Sequence, residues 1–219
     1  MHNVDKLFTQ PDRDRIAAAV KEAERKTSGE IVPCVVDRSD DYEVAEWRLG
    51  ALCGSLVLAV LAALYLFTPA WLPWNFAEWL LVILAAFGAG MAAAKFLPTV
   101  KRMFAGRQLL EQRIAQRAAQ VFVDEEVFNT RDRTGILLFV SLLERRVLVL
   151  GDSGINARVQ QTDWQGVVDT VVDGLAGGRP ADGLIAAIGK CGLLLERKGV
   201  AVKPDDRDEL SDGLRVKTS

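Results

Sequence analysis

The sequence predicts an α/β layered sandwich whose small sheet is interrupted by a two-helix transmembrane hairpin. Three observations predict it. Helical patterns stand before, between and after a few short apolar strands; Leu49 to Ala77 contains no Asp, Glu, Lys or Arg; and Glu78 is the only charge before Lys95. Half of the 219 residues are hydrophobic and 26% are charged, with 27 basic against 29 acidic side chains and a formal net charge of −2. That balance excludes a disordered acidic chain, a collagen-like fibre and a strongly basic nucleic-acid binder.

The first helix starts at Thr9, a capping residue with Asp12 three positions on and Pro11 in the tolerated first turn. Ile16, Ala19, Val20 and Ala23 then recur at helical spacing until Gly29. Glu30 to Val36 reads as a strand, and Pro33 within it predicts an edge position or a bulge. Ser39, Asp40 and Asp41 cap a second helix that runs through Tyr42 to Arg48 into the first apolar span.

Leu49 to Thr68 supplies twenty uncharged residues, enough at about 1.5 Å each to cross about 30 Å of hydrocarbon. Trp79 to Ala94, extended by Phe76 and Ala77, makes the second span, and Pro69 to Asn75 makes an uncharged turn. Trp71, Trp74 and Trp79 gather at one end and Trp47 at the other, as interfacial indoles do. Gly88, Gly90, Ala92 and Ala94 put small residues on one flank of the second helix, where it packs closely on the first helix or on another copy, or simply faces lipid. Two buried core helices of a soluble protein are the alternative, and the length and uniformity of the runs weigh against it.

Lys95, Lys101, Arg102, Arg107 and Arg113 follow the spans, Arg38 and Arg48 precede them, and the turn has no basic residue. Positive charge therefore places both termini in the cytoplasm, in a multi-pass protein of the cell inner membrane. The polar 48 residues ahead of Leu49 do not read as a cleaved signal peptide, so the first span reads as an uncleaved anchor.

Beyond the hairpin Pro98 interrupts the helix, and Met103, Leu110, Ile114, Ala118 and Val121 mark one face of a long helix reaching Phe122. Its other face carries Arg102, Arg107, Arg113 and Arg117, which meet anionic lipid at about 1 kcal/mol each or are ordinary solvated charges. Ile136 to Ser141 and Val147 to Leu150 are apolar strands joined by the turn Leu142 to Arg145, an antiparallel hairpin. Gly151 to Gly154 is a turn, Trp164 to Leu175 a helix ended by Gly177 and Gly178, and Pro180 opens a last helix stopped at Gly199. The charged tail past Val202 has no apolar pattern and is expected to stay unfolded.

The strand Glu30 to Val36 stands before the hairpin and the other strands after it. A single buried sheet needs them together, so the hairpin is an insertion within one domain. The chain divides into 1–48, a hairpin at 49–94, the rest of the domain at 95–200, and a tail at 201–219.

Three widely spaced cysteines, Cys34, Cys53 and Cys191, argue against a disulfide framework. The only histidine is His2, which removes Ser/His/Asp triads, Cys/His dyads and His-based metal sites. No Gly-rich Lys-Ser/Thr loop and no Cys-x5-Arg occurs, so any phosphoryl chemistry would rest on carboxylates and metal. If Ser141 pairs with Arg146, Gly135 lies opposite Asp152, and Asp132 and Asp152 approach the same sheet end. With Asp163 on the following loop they offer oxygen ligands to a Ca²⁺ or Mg²⁺ ion. Each also has a structural role open to it: Asp152 satisfies turn amides and Asp163 caps the helix of Trp164. Asp37, Asp40 and Asp41 form a second acidic group with the same ambiguity.

Arg117-Ala118-Ala119, Phe122, Thr130 through Ser141, Glu144-Arg145-Arg146-Val147 and Gly151-Asp152-Ser153-Gly154-Ile155 together resemble the TPM domain. So do Ser28-Gly29-Glu30-Ile31 and the pattern around Trp164 and Gly178 to Leu184. The resemblance covers most of residues 5–198 apart from the insertion. Arg133-Thr134-Gly135 stands where many relatives carry an Asn-Gly or Asn-Asn-Gly, which takes a polar ligand from that turn. The resemblance implies an α/β/α sandwich with a small mixed sheet. The family includes thylakoid proteins of photosystem repair, reported as weak acid phosphatases and cation binders, a nematode receptor auxiliary subunit, and membrane-anchored bacterial proteins.

Two functions follow as expectations. One is a noncatalytic adaptor at the cytoplasmic face, binding membrane lipid and another membrane protein in its assembly, repair or regulation, with a homo-oligomer also compatible. The other is a divalent-metal-dependent phosphatase of TPM type using Asp132 and Asp152. Nucleic acid is not an expected partner.

Overall fold

The computed structural model describes residues 4–67, 75–202 and 209–217. Its helices are α1 (Val4–Leu7), α2 (Gln10–Glu24), α3 (Glu43–Phe67), α4 (Phe76–Phe96), α5 (Pro98–Ala105), α6 (Arg107–Asp124), α7 (Ser153–Asn156), α8 (Gln165–Ala176) and α9 (Pro180–Arg197). Its strands are β1 (Glu30–Val36), β2 (Gly135–Ser141), β3 (Arg146–Gly151) and β4 (Arg215–Lys217). The chain forms two compact units: residues 1–40 with 112–219, and residues 41–111.

The first unit is a mixed four-stranded sheet in the order β3-β2-β1-β4 with helices on both faces. All seven positions of β1 and of β2 are buried, which is why both read as continuous rather than alternating apolar runs. One face packs on Ile16, Val20 and Ala23 of α2, on Val167 and Val171 of α8, and on Leu184, Ile188 and Leu195 of α9. The other face, with Val32, Cys34, Leu137 and Phe139, packs on Ile114, Ala118 and Val121 of α6. β1 runs parallel to β2 from Glu30↔Gly135 to Val36↔Ser141 although the whole 41–111 unit intervenes in sequence, so that unit is an insertion between neighbouring strands. β2 and β3 pair antiparallel in the expected register, Ser141↔Arg146 through Ile136↔Gly151.

Four expectations change. The tail is not wholly unfolded: β4 pairs with β1 from Cys34↔Arg215 to Val36↔Lys217. Three residues make this strand, so no period-2 pattern could announce it, and charge holds it instead. Arg215 Nε lies 3.0 Å from Glu125 Oε2, Lys217 Nζ lies 2.7 Å from Glu125 Oε1, and the Glu209 carboxylate accepts the Arg131 N–H. Burial alone would raise the Glu125 carboxyl, but hydrogen bonds from Lys217 and Arg215 hold it below its ordinary range.

Pro33, second, lies in an inner strand and not on an edge. Glu30 N donates to Thr134 O on the β2 side while Ile31 N donates to Glu24 Oε1 on the other, so strand alternation turns the missing Pro33 N–H away from β2. β4 begins pairing only at Cys34, and no ladder bond is lost at Pro33.

Third, the long helix expected from Met103 to Phe122 is broken at Gly106, whose φ of +85° a helix cannot carry, giving α5 and α6. The second helix also starts later than its expected caps, at Glu43, after Tyr42 at a φ of +51°.

The second unit pairs α3 with α4. Both are long and apolar enough to cross a membrane. Few of their residues are buried, Ala45, Gly50, Gly54 and Leu61 in α3 and Gly90 and Ala94 in α4, so they are not core helices of this chain. Small residues set their approach: a Cβ on Gly90 would stand 2.8 Å from Leu49 O, and one on Gly50 would stand 2.8 Å from Met91 Cγ. Gly88, by contrast, has nothing within 4 Å of its Cβ position. Trp47 meets the Phe87 ring edge-on at 5.8 Å and Trp79 meets Tyr65 at 6.3 Å. The expected turn with Trp71 and Trp74 lies outside the described residues. Cys34, Cys53 and Cys191 are free thiols.

Candidate functional site

The expected carboxylate site is built where β2 starts and β3 ends. Asp152 N donates to Gly135 O at 2.9 Å, and Gly154 N donates to Arg133 O at 3.0 Å, so the loop carrying Asp132 and the turn carrying Asp152 do meet. They meet tightly. A Cβ at Gly154 would lie 2.4 Å from Asp132 O, and one at Gly135 would lie 1.8 Å from Val127 O. Glycine at these positions lets three backbone segments touch, leaving little room between them.

The side chains there are engaged with cations and amides. Asp152 is the N-cap of α7 and accepts the Ser153 N–H at 2.6 Å through Oδ1. Its buried Oδ2 lies 2.8 Å from Arg133 Nε, an ion pair without hydrogen-bond alignment. Arg133 holds a φ of +58° and lays its guanidinium 5.7 Å from the centre of the Phe128 ring. Asp132 lies 3.6 Å from Arg131 Nη2. Asp163 is tied elsewhere: Oδ2 accepts from Lys198 Nζ at 2.6 Å and from Gln160 N at 2.8 Å. The Lys198 hydrogen bond, then the Gln160 amide, hold the Asp163 carboxyl below its ordinary range.

Structure therefore brings the segments of Asp132 and Asp152 together and spends Asp163 on Lys198. Among the described residues no three His, Cys, Asp or Glu side chains converge as a metal-holding group. The fit to a divalent ion is poor as arranged, because such a site gathers oxygen ligands and here guanidinium and ammonium groups face the carboxylates.

The second acidic group is dispersed in the same way. The Asp37 carbonyl accepts Leu143 N at 2.9 Å, Asp40 Oδ2 lies 2.7 Å from Arg113 Nε, and Asp41 opens the second unit.

Beside Asp37 and Asp40 lies a polar network that reading the sequence did not find. At the carboxyl ends of the parallel strands β1 and β2, Glu144 Oε1 accepts Ser39 N at 2.8 Å. Its Oε2 takes a short hydrogen bond from the Ser141 hydroxyl, and Ser141 Oγ lies 2.9 Å from Ser39 Oγ. Ser141 and Glu144 are buried. Crevices at the carboxyl ends of strands are where open α/β sheets bind ligands, and here Ser39, Ser141 and Glu144 bond to one another. A glutamate in a leucine-rich hairpin turn, Leu142-Leu143-Glu144, was the available signal. Its reach to Ser39, 105 residues away, was not.

Residues 99–192 match the family model of the TPM domain. Among solved structures, the NMR structure of BA42 protein from the psychrophilic bacteria Bizionia argentinensis sp. nov. is similar in fold, with a TM-score of 0.60 at 19% identity, over 99% of this chain and 100% of that one. Comparison with curated proteins gives no match.

Proposed function

We propose that this chain, which carries a TPM domain, is a membrane-anchored, noncatalytic adaptor at the cytoplasmic face of the inner membrane, acting on the assembly, repair or regulation of another membrane protein. The observation that carries the reading is the insertion. Two apolar helices long enough to span sit between β1 and β2, neighbours in one sheet, so the domain cannot be released from its anchor by cutting a linker at one end. The occupied carboxylates support the noncatalytic half: Asp152 caps a helix and faces Arg133, and Asp163 pairs with Lys198. The basic residues after the spans support cytoplasmic termini.

The reading is tested by crosslinking in intact cells followed by mild-detergent extraction. The expected result is one membrane protein recovered at fixed stoichiometry; recovery of this chain alone overturns it. Protease shaving of sealed vesicles is expected to protect both termini from the outside, and cleavage of residues 112–202 from outside overturns the topology.

A second reading, a divalent-cation-dependent phosphatase at Asp132 and Asp152, is favoured by one observation: Asp152 Oδ2 is buried without an aligned hydrogen bond. Movement of Arg133 would free it to take a cation. Turnover of a phosphomonoester with Mg²⁺, Mn²⁺ or Ca²⁺ that Asp152→Ala abolishes would put this reading first.

A further inference from the structure

The helix created by the break at Gly106 has a face that the second unit leaves uncovered. Lys101 and Ala105 of α5 are buried. Val100, Met103 and Phe104, spaced three and four apart, lie on one side, with Met103 69% exposed. Phe96, which ends α4, and Leu97, which joins it to α5, are 75% and 52% exposed. Arg102 stands on the polar side of α5, and Lys95 closes the last turn of α4.

α5 is held in place by contacts that use up one cation. Lys101 Nζ lies 2.9 Å from Glu46 Oε1 and donates to Asp41 O at 2.8 Å, with the pair largely buried. Arg48 Nη1 donates to Phe104 O at 3.0 Å and to Ala105 O at 2.8 Å, closing the carboxyl end of α5 with a positive charge. The start of α3 thus clasps both the middle and the end of α5, leaving the uncovered side fixed in direction. Among the described residues the side chains of Lys95 and Arg102 make no ion pair or hydrogen bond with the protein.

We propose that α5 is an interfacial helix: Phe96, Leu97, Val100, Met103 and Phe104 enter the boundary between headgroups and acyl chains, and Lys95 and Arg102 bind the phosphates of anionic phospholipids. The inference rests on the membrane reading above. Two observations choose lipid over another occupant. α5 follows α4 after a single residue, so its apolar side is continuous with a helix of spanning length. Both uncommitted charges beside that side are positive, the combination of apolar face and basic flank that lies in an anionic interface.

The test uses the full chain in vesicles of phosphatidylcholine alone or mixed with phosphatidylglycerol. Spin labels are placed singly at Met103→Cys, at Leu56→Cys on the exposed side of α3, and at Asp169→Cys on α8 as a water reference, each with Cys53→Ala. Cys34 and Cys191 stay unlabelled, because burial pushes both thiols up to about 12. The expected result is that a water-soluble nickel chelate reaches Met103→Cys several-fold less than Asp169→Cys, and Leu56→Cys least. Enrichment of spin-labelled phosphatidylglycerol over phosphatidylcholine should fall about fivefold for each of Lys95→Gln and Arg102→Gln.

Shielding at Leu56 with Met103 as open as Asp169 overturns the interfacial helix and leaves the spans standing. A Leu56 label open to the chelate overturns the membrane reading itself. Phosphatidylglycerol enrichment unchanged in the double variant overturns the assignment of Lys95 and Arg102.

Discussion

At the end of the sheet where β2 starts and β3 finishes, backbone packs on backbone across glycines; at the end where β1 and β2 finish, the half-buried Ser39 and the buried Ser141 close on a buried glutamate. The first end is sealed by shape and the second by hydrogen bonds. Carboxylates mark both in the sequence, yet the pair that looks most like a ligand set, Asp132 and Asp152, lies where there is least space. A cluster of acids in one dimension says little until the cations that fold against it are known, and Arg133 and Lys198 are those cations here.

Shape should fail harder than hydrogen bonding. Gly135→Ala puts a Cβ where Val127 O already stands and is expected to cost at least about 3 kcal/mol in urea unfolding of the detergent-solubilised chain. An unchanged midpoint would show that the turn carrying Val127 yields freely and that this end is not sealed. At the opposite end Glu144→Ala strips the acceptor from Ser39 N and Ser141 Oγ, for about 2 to 4 kcal/mol, while Glu144→Gln, which keeps one acceptor, should lose less. Equal losses in the two variants would mean that the charge, and not the acceptor geometry, holds the turn.

The salt-bridged carboxylate gives a smaller effect. Arg133 is half exposed, so solvent screens its pairing with Asp152, and Arg133→Gln should cost about 1 kcal/mol or less. The same variant sharpens the comparison. A thermal midpoint that Ca²⁺ or Mg²⁺ raises, and that Asp152→Ala then lowers again, would turn the shape-sealed end into a cation site.

The smallest effect belongs to β4. The Glu125 carboxyl is held below its ordinary 4.5, so its contribution is present above that value and is lost as pH falls through the lowered one. Burial works against the Lys217 ammonium, but Glu125 and Asp124 raise it above its ordinary 10.5, so its share is present below 10.5 and lost as pH climbs through the raised value. Amide exchange at residues 215–217 should quicken towards both extremes while β2 stays protected, and a flat profile would mean that strand pairing alone retains β4.

Much of this architecture was legible beforehand. The β2–β3 register followed from one assumed pair, because a turn of four residues leaves the partners no choice. The two long apolar helices followed from the absence of charge. β4 was not legible: Arg215, Val216 and Lys217 carry no apolar alternation, and their partners Glu125 and Cys34 lie far away in sequence. The break at Gly106 was hidden for a different reason. A glycine inside a helical pattern is usually tolerated, and only the Arg48 contacts to Phe104 and Ala105 show why the chain turns there.

The interposed helices also govern the order of events during synthesis. β1 leaves the ribosome with its seven residues unpaired, and its parallel neighbour follows only after roughly a hundred further residues. The nascent sheet must therefore wait, with an apolar strand unshielded, until the whole of residues 41–111 has been made and the later strand emerges, which makes any stall in that interval a direct route to aggregation.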